Sequence, residues 1–208
     1  EESIEYYSVL RALRAMERAD IVMLVVDAAE GLTAQDAHIA GLAWERYRGI
    51  LVVVNKWDLV SGRPGVDEER YIQEIRRRMQ FIPNSPVCFT SALHQQGVGD
   101  VVRTAFEVYE ERMRQVPHSE IHRAVMAAVG EHPPPAAGSR PLRVRRVFQG
   151  GVNPPTFVFV TNYPEPVHFS YMRYLENRLR AALDFRYTHL RLVFKRDSDR
   201  TGGGGAGS

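Results

Sequence analysis

A parallel α/β unit followed by a small α+β unit is the fold class this 208-residue sequence predicts. Three observations carry it. Continuous β-branched runs at residues 21–27 and 50–54 alternate with helical patterns, as in strands buried on both faces of a parallel sheet. After Val116-Pro117 the order changes to helix, strand, strand, helix, strand. Charge divides at the same place: residues 1–115 carry 14 basic and 18 acidic side chains, and residues 116–208 carry 13 and 7.

Tyr6, Leu10, Leu13 and Met16 recur at helical spacing ahead of the first strand. Thr33-Ala34-Gln35-Asp36 then supplies an N-cap and a first-turn carboxylate for a helix reaching about Tyr47. Residues 61–65 read as a loop, 68–80 as a helix and 87–90 as a third strand. Residues 98–115 close the unit as a helix with Val101, Val102, Ala105, Phe106 and Tyr109 on its apolar side. In the second unit Ser119 is the expected cap of a short helix that ends near Gly130, since Pro133, Pro134 and Pro135 cannot continue it. Residues 142–149 and 156–161 are two strands about a Gly- and Pro-rich turn. Ser170 is the expected cap of a helix carrying Tyr171, Tyr174, Leu175, Leu179 and Leu183 on one face, and residues 190–194 are the last strand. The expected domains are therefore 1–116 and 117–196, with a Gly-rich tail, 197–208, disordered by composition.

Apolar residues make up 44% and charged residues 25%, which excludes a wholly disordered or collagen-like chain. No apolar run approaches a membrane span, and the acidic start is not that of a signal peptide. One cysteine, Cys88, cannot make an internal disulfide, so a reducing, cytoplasmic setting is expected. The basic second half suits a polyanionic partner; a solvated face is the plain alternative. His118 and His122 share a helical face without a third ligand, and no residue is assigned a catalytic or metal-binding role.

The sharpest chemistry lies in Asn55-Lys56-Trp57-Asp58, directly after a buried strand, where ligands of open parallel sheets bind. Asn-Lys-x-Asp in that position is the guanine-specificity motif of P-loop GTPases. There the Asp58 carboxylate would accept from guanine N1–H and the exocyclic amine, Lys56 would lie along the base plane, and Asn55 would tie neighbouring loops together. One strand later, Thr90-Ser91-Ala92-Leu93 is similar to the Ser-Ala-x loop of those GTPases, whose backbone N–H groups meet guanine O6. Together Asn55, Lys56, Asp58, Ser91, Ala92 and Leu93 form a candidate half-site for the base of GTP or GDP.

Longer stretches resemble one family. Residues 5–13 (Glu-Tyr-Tyr-Ser-Val-Leu-Arg-Ala-Leu), Asp27-Ala28-Ala29-Glu30-Gly31 and Asn55 to Leu59 are similar to the second G domain of the bacterial Der (EngA) GTPases. Residues 153–158 (Asn-Pro-Pro-Thr-Phe-Val), His168-Phe169-Ser170-Tyr171 and 173–180 resemble that family's C-terminal KH-like domain. The departures are Asn162-Tyr163-Pro164-Glu165 and His94-Gln95. The resemblance implies a partial P-loop GTPase domain, with its phosphate-loop half missing, followed by a KH-like α-β-β-α-β domain. It further implies a factor in assembly of the 50S ribosomal subunit, with 23S rRNA and the parent's own G domains as partners and no membrane. No Gly-Lys-Ser/Thr occurs in the 208 residues, so magnesium ligands are not expected among them, and the chain alone is expected to be inactive in hydrolysis. Without the phosphate-loop strand, residues 21–26 are expected to form an apolar sheet edge.

KH modules clamp RNA with a Gly-x-x-Gly loop between helices. None occurs here, so RNA contact would rest on Arg143, Arg145, Arg146, Arg173, Arg178 and Arg180. The competing reading is an isolated RNA- or protein-binding module with no nucleotide function.

Overall fold

The computed structural model describes residues 11, 13–134, 136–137, 140–162 and 167–197, with 136, 137, 140 and 141 by backbone alone. Tyr6 and Leu10 of the first helical pattern, most of the 5–13 motif, Tyr163-Pro164-Glu165 and residues 198–208 of the expected tail lie outside them. The chain forms two compact units: Glu1–Arg112 with Tyr187–His189, and Met113–Arg186 with Leu190–Ser208.

In the first unit three parallel strands, β1 (Ile21–Asp27), β2 (Gly49–Asn55) and β3 (Val87–Phe89), lie in the order β1-β2-β3. Alternation of side chains splits them between two apolar layers. Leu24, Val26, Ile50, Val52 and Val54 pack with helices α1 (Ala34–Glu45) and α2 (Glu68–Arg78), while Leu51 and Val53 pack with Val101 of helix α3 (Val98–Met113). Thr33 and Asp36 cap α1 reciprocally, and the Asp67 carboxylate accepts from the Arg70 N–H at 2.8 Å to start α2. Among the described residues β1 pairs only with β2, and Met23 and Val25 are 46% and 60% exposed.

Helix α3 differs from expectation. Its buried row is Val101, Val108 and Arg112, whereas Val102 and Phe106 are exposed. The contact with Leu51 and Val53 selects the row at 101, 105, 108 and 112, one helical face of which apolar composition is only part. Arg112 is fully buried and donates to the Tyr47 carbonyl at 2.7 Å and the Thr188 hydroxyl at 3.1 Å. Burial draws its pKa down to about 10.

The second unit follows the expected order with one addition. Helix α4 (His118–Glu131) leads to a two-stranded antiparallel ladder, β4 (Ala136–Ala137) with β5 (Arg140–Pro141), that hydropathy does not announce. Strands β6 (Val144–Gly151), β7 (Thr156–Thr161) and β8 (Arg191–Arg196) make a sheet in the order β6-β7-β8, antiparallel then parallel, with helix α5 (Phe169–Ala182) before β8. One face is sealed by both helices: Ile121, Val125 and Ala128 meet Tyr171, Leu175 and Leu179 over Val147, Phe157 and Phe159. Neither expected serine is a cap. Pro117 precedes α4 without a side-chain bond, and the His168 ring nitrogen accepts from the Ser170 N–H at the start of α5.

Two tyrosines fasten α5 to the end of α4: Tyr171 donates to the His132 carbonyl at 2.9 Å and Tyr174 to that of Ala128 at 2.8 Å. Burial, with Tyr174 nearby, pushes the Tyr171 hydroxyl up to about 12. A raised value contributes stability that is complete below the unfolded tyrosine value of about 10 and is lost as pH rises through the folded one. Resistance of the wild type to chemical denaturation is therefore expected to fall between pH 10 and 12, and Tyr171→Phe to lose less over that interval. Parallel loss in both proteins would assign the alkaline sensitivity elsewhere.

Candidate functional site

The carboxyl ends of β1, β2 and β3 converge on the Asn-Lys-x-Asp segment. Register sets Asp27 beside Asn55 and Val54 beside Phe89. Asn55 stays at the strand end because its side-chain oxygen accepts from the Thr90 hydroxyl at 3.2 Å and the Ala92 N–H at 3.0 Å, so one side chain ties the end of β2 to residues 35 and 37 positions further on, in the loop after β3. Lys56 turns the chain through the left-handed region, with φ of 60°, into a 3-10 turn over Trp57–Leu59. Trp57 anchors that turn: its N–H donates to the Thr90 carbonyl at 2.9 Å, and its ring packs on Phe89 and Tyr71 with centroids 4.5 and 5.6 Å away. The indole is thus scaffold, and Asp58 and Leu59 are left to face the cavity.

The opposite wall is the loop after β3. Ser91 and Gln96 exchange both backbone hydrogen bonds at 3.0 Å and close the loop on itself. Gln95 and Gly97 take positive φ of 57° and 71° to make this possible. At Gly97 a Cβ would lie 2.3 Å from the Phe89 carbonyl oxygen. Gly97→Ala is expected to cost on the order of 1–3 kcal/mol, the scale of a strained backbone position. Denaturant unfolding measures it; a cost below about 0.5 kcal/mol, the range of an ordinary surface change, would show that the loop relaxes freely.

Between these walls lies a cavity of about 210 Å³, lined by Asn55, Lys56, Asp58, Leu59, Ser91, Ala92 and Leu93. All six residues singled out from the sequence are brought together there, with Leu59 as an added apolar wall. The cavity is smaller than the roughly 300–1,000 Å³ typical of sites for drug-sized ligands, and suits one planar ring system. Lys56 reaches across to Asp27, Nζ to Oδ2 at 2.5 Å. That hydrogen bond holds Asp27 below the usual carboxylate range and raises Lys56. Both stay charged at neutral pH, so Lys56 must leave a carboxylate partner to lie along a ring in the cavity. The Ala92 N–H is likewise engaged by Asn55. Asp58 is 22% exposed at its side chain, with His94 Nε2 at 3.7 Å from Oδ2. Asp27 and Thr90 also belong to the site, and the signal for them in the sequence is an acid ending β1 and a hydroxyl following β3, the two strands that flank β2.

The six arginines do not share one surface. Val147 lies in the helix-covered core of the second unit, so Arg146, next along β6, belongs to the other face, where its guanidinium sits 5.2 Å from the Phe148 ring centroid. Arg143 and Arg173 are exposed. Arg145 pairs with Asp197 at 2.6 Å and Arg178 with Glu131. Arg180 corrects the expectation of a surface group: it is 8% exposed and donates to the carbonyls of Phe185 and Arg186, binding the turn that follows α5. Among the described residues no three His, Cys, Asp or Glu are grouped to hold a metal ion. The His118 and His122 rings lie 6.3 Å apart. No described helix is long and apolar enough to cross a membrane.

Similarity to known proteins falls on the same two regions. The family described as the elongation factor Tu GTP binding domain matches residues 8–115, and the KH-domain-like family of EngA bacterial GTPase enzymes, C-terminal, matches residues 115–195. GTPase Der of Moorella thermoacetica is 45% identical over 196 residues, covering 94% of this chain and 44% of that protein. GTPase Der of Thermomicrobium roseum is 44% identical over 196 residues, covering 94% and 43%. The chain therefore spans less than half the length of the curated relatives it matches. The solved structure of a probable GTP-binding protein engB superposes with a TM-score of 0.43 at 19% identity, covering 53% of this chain and 67% of that one. The chain belongs to the family of the elongation factor Tu GTP-binding domain and carries after it the KH-like domain of the EngA bacterial GTPases.

Proposed function

We propose that the cavity between Asn55–Leu59 and Ser91–Leu93 is the base-recognition half of a guanine-nucleotide site. The observation that carries this is the convergence of Asn55, Lys56, Asp58, Ser91, Ala92 and Leu93 on one ring-sized space. Asp58 supplies two acceptor oxygens for the adjacent N1–H and amino donors of guanine, which adenine does not present. Leu59 and Leu93 cover the edges of the ring, Lys56 exchanges Asp27 for the ring face, and Asn55 keeps the two walls in register. In the protein that contains it, the chain serves GTP binding and hydrolysis during large ribosomal subunit assembly in the cytoplasm. Guanosine and adenosine titrations followed by amide chemical shifts test the base site. Guanosine is expected to perturb residues 55–59 and 91–97 while adenosine does not; equal response to both would remove the guanine assignment.

The KH-like unit is assigned to ribosomal RNA, with Arg143, Arg145, Arg146, Arg173 and Arg178 among its exposed cations. The 13 basic against 7 acidic residues after residue 115 support a phosphate-directed contact. Affinity for a 23S rRNA fragment is expected to fall steeply between about 50 and about 200 mM salt, as counterion release requires. Binding that is constant across that range would overturn the electrostatic account.

A further inference from the structure

Asp58 is the acceptor on which guanine selectivity rests in the reading above, and it has a neighbour that nothing in that reading uses. His94 stands in the loop that forms the opposite wall, its N–H donating to the Ser91 hydroxyl at 3.4 Å, and its Nε2 lies 3.7 Å from Asp58 Oδ2. That separation is within ion-pair reach and beyond a hydrogen bond. The ring is about half exposed. The other ionised groups around the cavity are committed to each other: Lys56 holds Asp27, and Glu30, from the turn after β1, acts on Lys56. Asp58 thus faces His94 as its one cationisable neighbour at ion-pair distance among the described residues.

We infer that His94 is a positioning residue that makes base affinity at this site depend on pH, by competing for the Asp58 carboxylate when it carries a proton. Imidazole changes charge between pH 5 and 8, a window in which neither guanosine nor an ionised Asp–Lys pair of this kind titrates. In the neutral form the ring leaves both Asp58 oxygens available to the two guanine donors. In the imidazolium form it draws Oδ2 toward itself and weakens that oxygen as an acceptor. A ring 54% exposed beside a carboxylate 22% exposed is a partly screened pair, so the competition is modest. The inference rests on the guanine-site reading, and its test separates the two.

The experiment is a guanosine titration of the full 208-residue chain at several pH values from 5.5 to 8.0, read by the amide shifts of residues 55–59. Binding is expected to be roughly two- to five-fold weaker at pH 5.5 than at pH 8.0, the scale of a partly exposed ion pair. His94→Gln, which cannot become a cation, is expected to flatten the profile. His94→Lys, a fixed cation, is expected to hold affinity low at every pH. Amide spectra of both variants matching the wild type away from the loop would show that they fold. A flat wild-type profile, or an unchanged slope in His94→Gln, overturns the inference and leaves the guanine site standing. No guanosine binding at any pH overturns the site and the inference with it.

Discussion

Asp58→Asn is expected to shift base preference from guanine toward xanthine. The carboxylate offers two acceptors to two adjacent donors; the amide keeps one acceptor and presents a donor, which matches the second carbonyl of xanthine. For guanine the change leaves one donor facing another inside a cavity only about 210 Å³ in volume. An unmatched buried polar group costs about 1–3 kcal/mol, so guanosine affinity should fall roughly 5- to 150-fold. A site built around donor pairing rejects analogues far more strongly than one built on shape alone, by up to about 10⁴-fold in favourable cases. Competition between guanosine and xanthosine measures the effect. Unchanged guanine preference would remove Asp58 from the base site, and equal loss of both ligands would point to a disturbed loop, for which Gly97→Ala serves as the comparison.

Phe159→Ala is expected to unfold the second unit or bring it close to unfolding. Phe159 is fully buried at the centre of β7, its ring stacked on Phe194 with centroids 4.8 Å apart, under the cover of α4 and α5. Removing a buried phenyl ring costs about 3–5 kcal/mol, from lost transfer energy and the cavity left behind. Against a typical domain stability of about 5–15 kcal/mol that is a large fraction. For a unit of this size each kcal/mol corresponds to roughly 4–8 °C, so the melting transition of this unit should drop by more than about 10 °C. Phe169→Ala is the control: Phe169 is 70% exposed, and its loss should stay within about 0.5 kcal/mol. A Phe159→Ala loss below 1 kcal/mol would mean that the helices do not seal this face of the sheet.

Much of this protein was legible in its sequence, for identifiable reasons. Residues 21–26 and 50–54 are apolar at every position, the pattern of buried parallel strands, and both became neighbouring parallel strands, although Met23 and Val25 of the first stay exposed. Thr33 and Asp36 carry their capping pattern within three residues, so the start of α1 needed no distant partner. The Asn-Lys-x-Asp segment was legible because a buried run ended in it, and parallel sheets expose strand ends. The tertiary structure decided whatever depends on a partner distant in the chain. A guanidinium is costly to bury by its own transfer energy, so hydropathy put Arg180 at the surface and marked nothing at Arg112; carbonyls of Tyr47, Phe185 and Arg186 and the Thr188 hydroxyl receive the two side chains in the interior. Val102 and Phe106 are as apolar as Val101, and only the position of Leu51 and Val53 decides which of them leaves water. In the candidate site, residue types were local information. The Lys56–Asp27 pair, the Asn55 bridge to Thr90 and Ala92, and the approach of His94 to Asp58 were not, because each joins residues between 29 and 37 positions apart that only sheet register and loop closure bring within reach.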